Sequence, residues 1–90
     1  MQNNQINMAE QKLLQLTISR VDAPVFDGGV VSVTVPGSEG EMTLMADHVA
    51  LISALKPGII TIKQADGSVI VHELTSGTLE VHDNNATILI

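Results

Sequence analysis

From Leu14 the chain alternates strictly, with Leu14, Leu16 and Ile18 on one side and Gln15, Thr17 and Ser19 on the other. That is the two-residue period of a half-buried strand. Asp22-Ala23-Pro24 ends the run, and Val25-Phe26 makes a short apolar step before Asp27-Gly28-Gly29, which reads as a turn. Gly29 to Pro36 predicts a second strand with Val31, Val33 and Val35 on one face and Val30, Ser32 and Thr34 on the other. Pro36-Gly37 closes it, because proline lacks the backbone donor that a central ladder position requires. Glu41 to Leu44 predicts a short strand and Ala46-Asp47-His48 a polar break. Val49 to Lys56 is almost wholly apolar, which suits a strand buried on both faces or a short helix, and its length and the Lys56-Pro57-Gly58 turn favour the strand. Ile59 to Lys63 and Val69 to Leu74 flank Asp66-Gly67, a strong hairpin signal that needs positive φ at the glycine. Ser76-Gly77 reads as a two-residue hairpin turn pairing Leu74 with Leu79, and Asp83-Asn84-Asn85 as the turn into a last strand, Ala86 to Ile90. Turns recurring about every 8 to 12 residues mark an all-β sandwich or barrel.

Composition narrows this further. Ninety residues hold one domain, and with 44% hydrophobic residues but only Phe26 as an aromatic, the core must be built from aliphatic side chains. Residues 1 to 12 are polar and are expected to form a disordered N-terminal extension ahead of a domain spanning 13 to 90. The start lacks the basic and apolar segments of a signal peptide, and there is no cysteine, so a cytoplasmic protein is expected. Apolar runs stay short of the ~18 residues that a membrane-spanning helix needs, so membrane association is expected only through a partner. Ten acids against four bases give a formal charge of -6, which disfavours nucleic acid and suits a basic protein surface.

Little catalytic chemistry is visible. There is no phosphate-cradling G-x-x-x-x-G-K-[ST] segment, no G-x-S-x-G elbow and no cysteine nucleophile. Glu39 and Glu41 could share one strand face, but a paired-carboxylate hydrolase on so small a scaffold lacks a cleft. His48, His72, His82 and Asp47 are candidate metal ligands by residue type. The expected register places His72 on the face of Leu74 and His82 on the opposite face, so neither metal nor cofactor is expected. What remains is an acidic corner, Gly37-Ser38-Glu39-Gly40-Glu41, where the two glycines allow a tight turn. Taken alone it fits solvated turn charges as well as a binding surface, and a free-standing β-sandwich interaction or ligand-binding module is the alternative function.

G-S-E-G-E-M (37 to 42), the Asp47-His48 pair, L-K-P-G-I-I (55 to 60) and S-G-T-L-E-V (76 to 81) resemble, in order and spacing, the epsilon subunit of bacterial F-type ATP synthase, called delta in mitochondria. The resemblance runs from about Leu14 to Leu89. It implies a flattened sandwich or barrel of ten strands in two five-stranded sheets. It also implies a non-catalytic rotor subunit in the central stalk, bound to the gamma subunit and the membrane c-ring, peripheral on the cytoplasmic face of the bacterial membrane. The implied ring contact is the strip Glu41, Met42, Thr43, Leu44, Met45, Ala46, Asp47 and His48, supported by the turn Gly37, Ser38, Glu39 and Gly40. Where the family has G-E-L-G-x-x-P-G-H-A-P, this chain has G-E-M-T-L-M-A-D-H-V-A. Thr43 thus replaces a glycine and Ala46-Asp47 a Pro-Gly pair, so the resemblance does not dictate this loop. The family's C-terminal helical pair, to which its ATP binding belongs, is not expected within these 90 residues, and tight ATP binding is not expected either.

Overall fold

The computed structural model describes residues 11–90, so the extension expected over residues 1 to 12 lies mostly outside the described residues. The described residues form nine strands and no helix, one strand fewer than expected: β1 (Leu14–Ser19), β2 (Pro24–Val30), β3 (Ser32–Gly37), β4 (Gly40–Met45), β5 (Leu51–Leu55), β6 (Gly58–Lys63), β7 (Val69–Leu74), β8 (Gly77–His82) and β9 (Asn85–Leu89). Hydrogen bonds link them in the order β2-β1-β9-β8-β5-β3-β6-β7, with β4 on the remaining edge of β3. The link between β5 and β3 is a single residue pair, Gly37 with Leu55. The continuous path therefore bends there into a five-stranded ladder (β2-β1-β9-β8-β5) and a four-stranded one (β4-β3-β6-β7).

The alternating positions explain why the two ladders stack. Leu14, Leu16 and Ile18 of β1, Leu79 and Val81 of β8 and Ala86 and Ile88 of β9 form one buried cluster with Val33 and Val35 of β3, Leu44 of β4, Ile60 and Ile62 of β6 and Leu74 of β7. Burial in β1 alternates along the strand, as Leu14 to Ser19 predicts. Fully burying one such side chain is worth about 1.5–3 kcal/mol.

Three expectations are corrected. Asp27-Gly28-Gly29 is not a turn. It lies inside β2, where Thr17 faces Asp27, Leu16 faces Gly28 and Gln15 faces Gly29. The bend falls at Val31, whose amide donates to Lys63 O at 2.8 Å as the chain passes from one ladder to the other. That extra residue resets the alternation, so Val30 and Val33 are both fully buried while Val31 is only half-buried. Second, Val49 to Lys56 contains a strand, but not one buried on both sides, since Ile52 is 76% exposed. Third, Ser76-Gly77 is no hairpin turn. Leu74 pairs with Gly58, whereas β8 pairs with β5 and β9, so this segment carries the chain between ladders.

The Asp66-Gly67 hairpin forms with Gly67 at φ +90°, as expected. The Asp66 carboxylate accepts Ser68 N at 2.8 Å and Ser68 Oγ at 2.6 Å. These two bonds, the hydroxyl's foremost, favour the ionised form and hold the Asp66 pKa below its ordinary value.

At the bend, a Cβ on Gly37 would lie 2.7 Å from Gly40 O and 2.9 Å from Met42 Cε, and one on Gly58 would lie 2.9 Å from Pro36 Cβ. Gly37→Ala should therefore cost about 1–3 kcal/mol through overpacking. Gly67→Val, where no neighbour intrudes, should cost a similar ~1–3 kcal/mol through backbone strain alone. Urea denaturation measures both, and wild-type stability in Gly37→Ala would mean the corner is not closed. Asp66's contribution should be complete above the unfolded-state pKa and be lost as pH falls through the lowered folded-state value. An NMR titration should place Asp66 below ordinary aspartates, and Ser68→Ala should bring it back up.

Candidate interaction surface

The acidic corner is the turn between β3 and β4. Gly37 pairs with Gly40, Ser38 and Glu39 form the two-residue loop, and Gly40 takes φ +136°. Ser38 N donates to Ala54 O at 2.9 Å and Lys56 N to Pro36 O at 2.9 Å, so the turn is bolted to β5 where the two ladders meet. Glu39 and Glu41 are both exposed, the first on the loop and the second on β4.

Within the strip expected from the resemblance, the structure separates residues by side. Glu41, Thr43 and Met45 point outward from β4, while Met42 packs against the core and Leu44 is fully buried. The Leu44 side chain thus cannot reach a partner. Thr43 Oγ1 lies 2.9 Å from Thr34 Oγ1 on β3. Among the described strands β4 pairs only with β3, which leaves its other edge unpaired.

Ala46 to Ala50 connect β4 to β5. Asp47 has φ +63°, a left-handed conformation that costs an ordinary L-residue about 1–2 kcal/mol and that aspartate and asparagine tolerate best. Its carboxylate accepts Lys12 Nζ at 2.8 Å, and its amide donates to Asn84 Oδ1 at 2.9 Å. His48, half-buried, donates its amide to Met45 O at 3.2 Å and sets ring Nδ1 2.9 Å from Val49 O. With both ion-pair partners 61% exposed, Lys12–Asp47 contributes at most about 1 kcal/mol.

The other two histidines lie elsewhere. His72 is half-buried in β7 on the side of Ile70 and Leu74. His82 is exposed in β8, with Asp83 Oδ2 at 3.3 Å and Glu80 Oε2 at 3.9 Å. Among the described residues no three histidines, cysteines or acids converge as a metal site would require.

Sequence reasoning missed the apolar part of this surface. A groove of about 320 Å³ runs between β4 and β5, lined by Glu39, Glu41 and Met42 on one wall and Leu51, Ile52 and Ser53 on the other. Ile52 also lines a second groove, about 400 Å³, with Ala50, Glu80 and His82. Val49 is 73% exposed and Met45 54%. Exposed apolar side chains beside an acidic turn and an unpaired strand edge suit docking against a protein, and nothing in the grooves encloses a small molecule. In an apolar run, alternation does not say which face is covered, so the sequence carried no signal for Ile52.

The family model for the ATP synthase delta/epsilon chain β-sandwich domain matches residues 13–90. An ATP synthase epsilon chain from a Sulfurovum species is 37% identical over 79 residues, 88% of this chain and 62% of that one. One from a Nitratiruptor species is 40% identical over 77 residues, 86% of this chain and 60% of that one. The chain thus spans about three-fifths of the length of these relatives. Its fold is similar to a chain in the cryo-EM structure of Euglena gracilis mitochondrial ATP synthase (OSCP/F1/c-ring), with TM-score 0.78 and 23% identity, covering 99% of this chain and 59% of that one. It is also similar to a chain in the central stalk/c-ring of Tetrahymena thermophila mitochondrial ATP synthase, with TM-score 0.72 and 23% identity, covering 88% of this chain and 63% of that one.

The left-handed backbone at Asp47 predicts an ordering of substitutions. Asp47→Gly should stay within about 1 kcal/mol of wild type, since the relieved strain offsets the lost ion pair. Asp47→Val should lose about 1–2 kcal/mol or more, because a β-branched residue resists positive φ. Thermal denaturation of the three proteins checks it, and equal stability of the Gly and Val variants would refute the strain.

Proposed function

Because the chain belongs to the family of ATP synthase delta/epsilon chain β-sandwich domains, as its sequence resemblance implied, we propose that it serves as a non-catalytic central-stalk subunit of a proton-translocating F-type ATP synthase. In this role it joins the gamma subunit to the membrane c-ring, peripheral on the cytoplasmic face of a bacterial membrane. The family match across residues 13–90 is the observation that carries this reading. The chain itself neither hydrolyses nor tightly binds ATP. It is a rigid coupling piece, and its ladders, stacked on one aliphatic core, resist shear, so ring and shaft turn as one body.

The ring contact we assign to the outward side of β4 and the loop after it, with Glu41 as the charged element and His48 at the far end. Specific interfaces take about 20–30 residues a side, more than Glu41, Thr43, Met45 and His48 can supply. The groove residue Ile52 and the exposed Val49 extend the surface with apolar area next to Glu41. On a two-residue turn clamped between Gly37 and Gly40, the acidic corner loses little conformational freedom on docking.

Glu41→Lys should weaken assembly more than Glu41→Gln, because it sets a like charge against whatever cation or donor Glu41 meets. For a rim-exposed pair the charge is worth about 0.2–1 kcal/mol and should fade as salt is raised. ATP-driven proton pumping and co-purification with gamma and the c-ring are compared for wild type, Glu41→Gln, Glu41→Lys and His48→Ala. Asp27→Lys on β2, at the far end of the strand order, carries the same change in charge. If it impairs coupling as much as Glu41→Lys does, the effect is general electrostatics and the assigned strip is wrong.

A further inference from the structure

Asn84 is the second residue of the turn between β8 and β9, where Asp83 and Asn84 have φ +51° and +61°. Two consecutive positive φ values define a type I′ hairpin turn, whose twist matches that of the strands it joins, and glycine would satisfy it equally well. The Asn84 side chain does something the turn does not need. Its Nδ2 donates to Leu13 O at 2.9 Å, and its Oδ1 accepts the Asp47 amide at 2.9 Å. Its own carbonyl accepts Gln15 N at 3.1 Å. One residue thus fastens three segments far apart in sequence, namely the entry to β1, the turn it sits in and the loop between β4 and β5.

The fastened loop includes Asp47 and His48. Asp47 is held in the left-handed region, and the direction of that single residue decides where the chain leaves β4 and which way His48 points. Lys12 also holds Asp47, but by the end of a long exposed side chain, whereas Asn84 binds the Asp47 backbone amide itself and is anchored in turn by its part-buried bond to Leu13 O. We propose that Asn84 is a positioning residue for the partner-facing surface, clipping the β4–β5 loop to the five-stranded ladder so that His48 and Val49 are presented in one orientation. The proposal rests on the assignment of that loop to the ring contact.

Asn84→Gly keeps the positive φ and removes both side-chain bonds. Asn84→Asp keeps an acceptor for the Asp47 amide but loses the donor to Leu13 O, so at raised salt that screens its added charge it should rescue the Asp47 bond alone. In the isolated chain, hydrogen exchange followed by NMR should show the Asp47 amide exchanging about tenfold faster in Asn84→Gly, the effect of about one net hydrogen bond. His48 and Val49 resonances should shift while those of Val33 and Ile88 hold, and Asn84→Asp should keep the Asp47 amide protected. With gamma and the c-ring, Asn84→Gly should lower co-purification about three- to tenfold, and Asn84→Asp, which keeps the Asp47 bond, should restore part of it. Unchanged Asp47 exchange in Asn84→Gly would overturn the clip. Faster exchange with wild-type co-purification, while His48→Ala loses it, would overturn the positioning role. If neither Glu41→Lys nor His48→Ala affects co-purification, the ring assignment itself falls and this proposal falls with it.

Discussion

The structure turns on the crossing at Pro36-Gly37, where β3 leaves one neighbour and takes another on the same edge. Ser32 to Thr34 pair with β6, and three residues later Gly37 pairs with Leu55 of β5. Two ladders can share a strand in this way only if the backbones come very close at the changeover. They do so here, with Ser38 N bonded to Ala54 O across the changeover, while within the four-stranded ladder Gly37 lies against Gly40 O and Gly58 against Pro36, with no room for a Cβ at either place. Proline has no amide to offer, but its carbonyl accepts Lys56 N at 2.9 Å, so the residue that would interrupt a ladder is used as an acceptor at the bend. The acidic turn follows from this constraint. Ser38 and Glu39 project from the corner because Ser38 N is already bonded to Ala54 O, and the groove between Glu41 and Ile52 is the gap left where β4 turns back and β5 continues without it.

The core explains why the chemistry stays outside. Its buried members are all aliphatic, and among the described residues no polar or charged side chain is buried. An interior of Leu, Ile, Val and Ala side chains contains no titratable group to perturb and no side-chain donor to satisfy, so it gives rigidity and leaves the polar chemistry to the surface. Polar groups are therefore displaced to turns and outer faces, where Thr43 meets Thr34 and Asp66 gathers Ser68. Recognition by such a domain rests on shape and on a few charges at the surface.

Most of the strands were legible in the sequence because alternation is imposed by a core on one side of each ladder. Leu14 to Ser19 and the Asp66-Gly67 hairpin came through as read. The misreadings share one cause, that the pattern is local and the pairing is not. Asp27-Gly28-Gly29 has the composition of a turn, yet next to β1 its small residues serve as a strand, with Gly29 packed close to Leu13 and Gln15. Ser76-Gly77 has the composition of a hairpin, but β8 pairs with β5 and β9 while β7 pairs with β6, a choice of distant partners that composition does not carry. The extra residue at Val31 is invisible in a run that alternates valine with small polar residues. In the candidate site, Glu41 and His48 came from the family resemblance, whereas the inward turn of Leu44 follows from the pleat. Asn84 gave no signal, since its partners Leu13 and Asp47 lie 71 and 37 residues away.

The departures from the family pattern fit together once the backbone is known. Asp47, which stands where the resembled pattern has glycine, takes φ +63°, a conformation that glycine adopts freely and aspartate only with strain. A side chain there gives something back, because the Asp47 carboxylate binds Lys12 while its amide binds Asn84. Glycine would make the loop easier to form and freer to move. Aspartate tied at both its carboxylate and its amide makes it harder to form and more fixed in direction. For the ring contact proposed above, fixed direction would be the more useful property, since every degree of freedom left in the loop has to be frozen on docking.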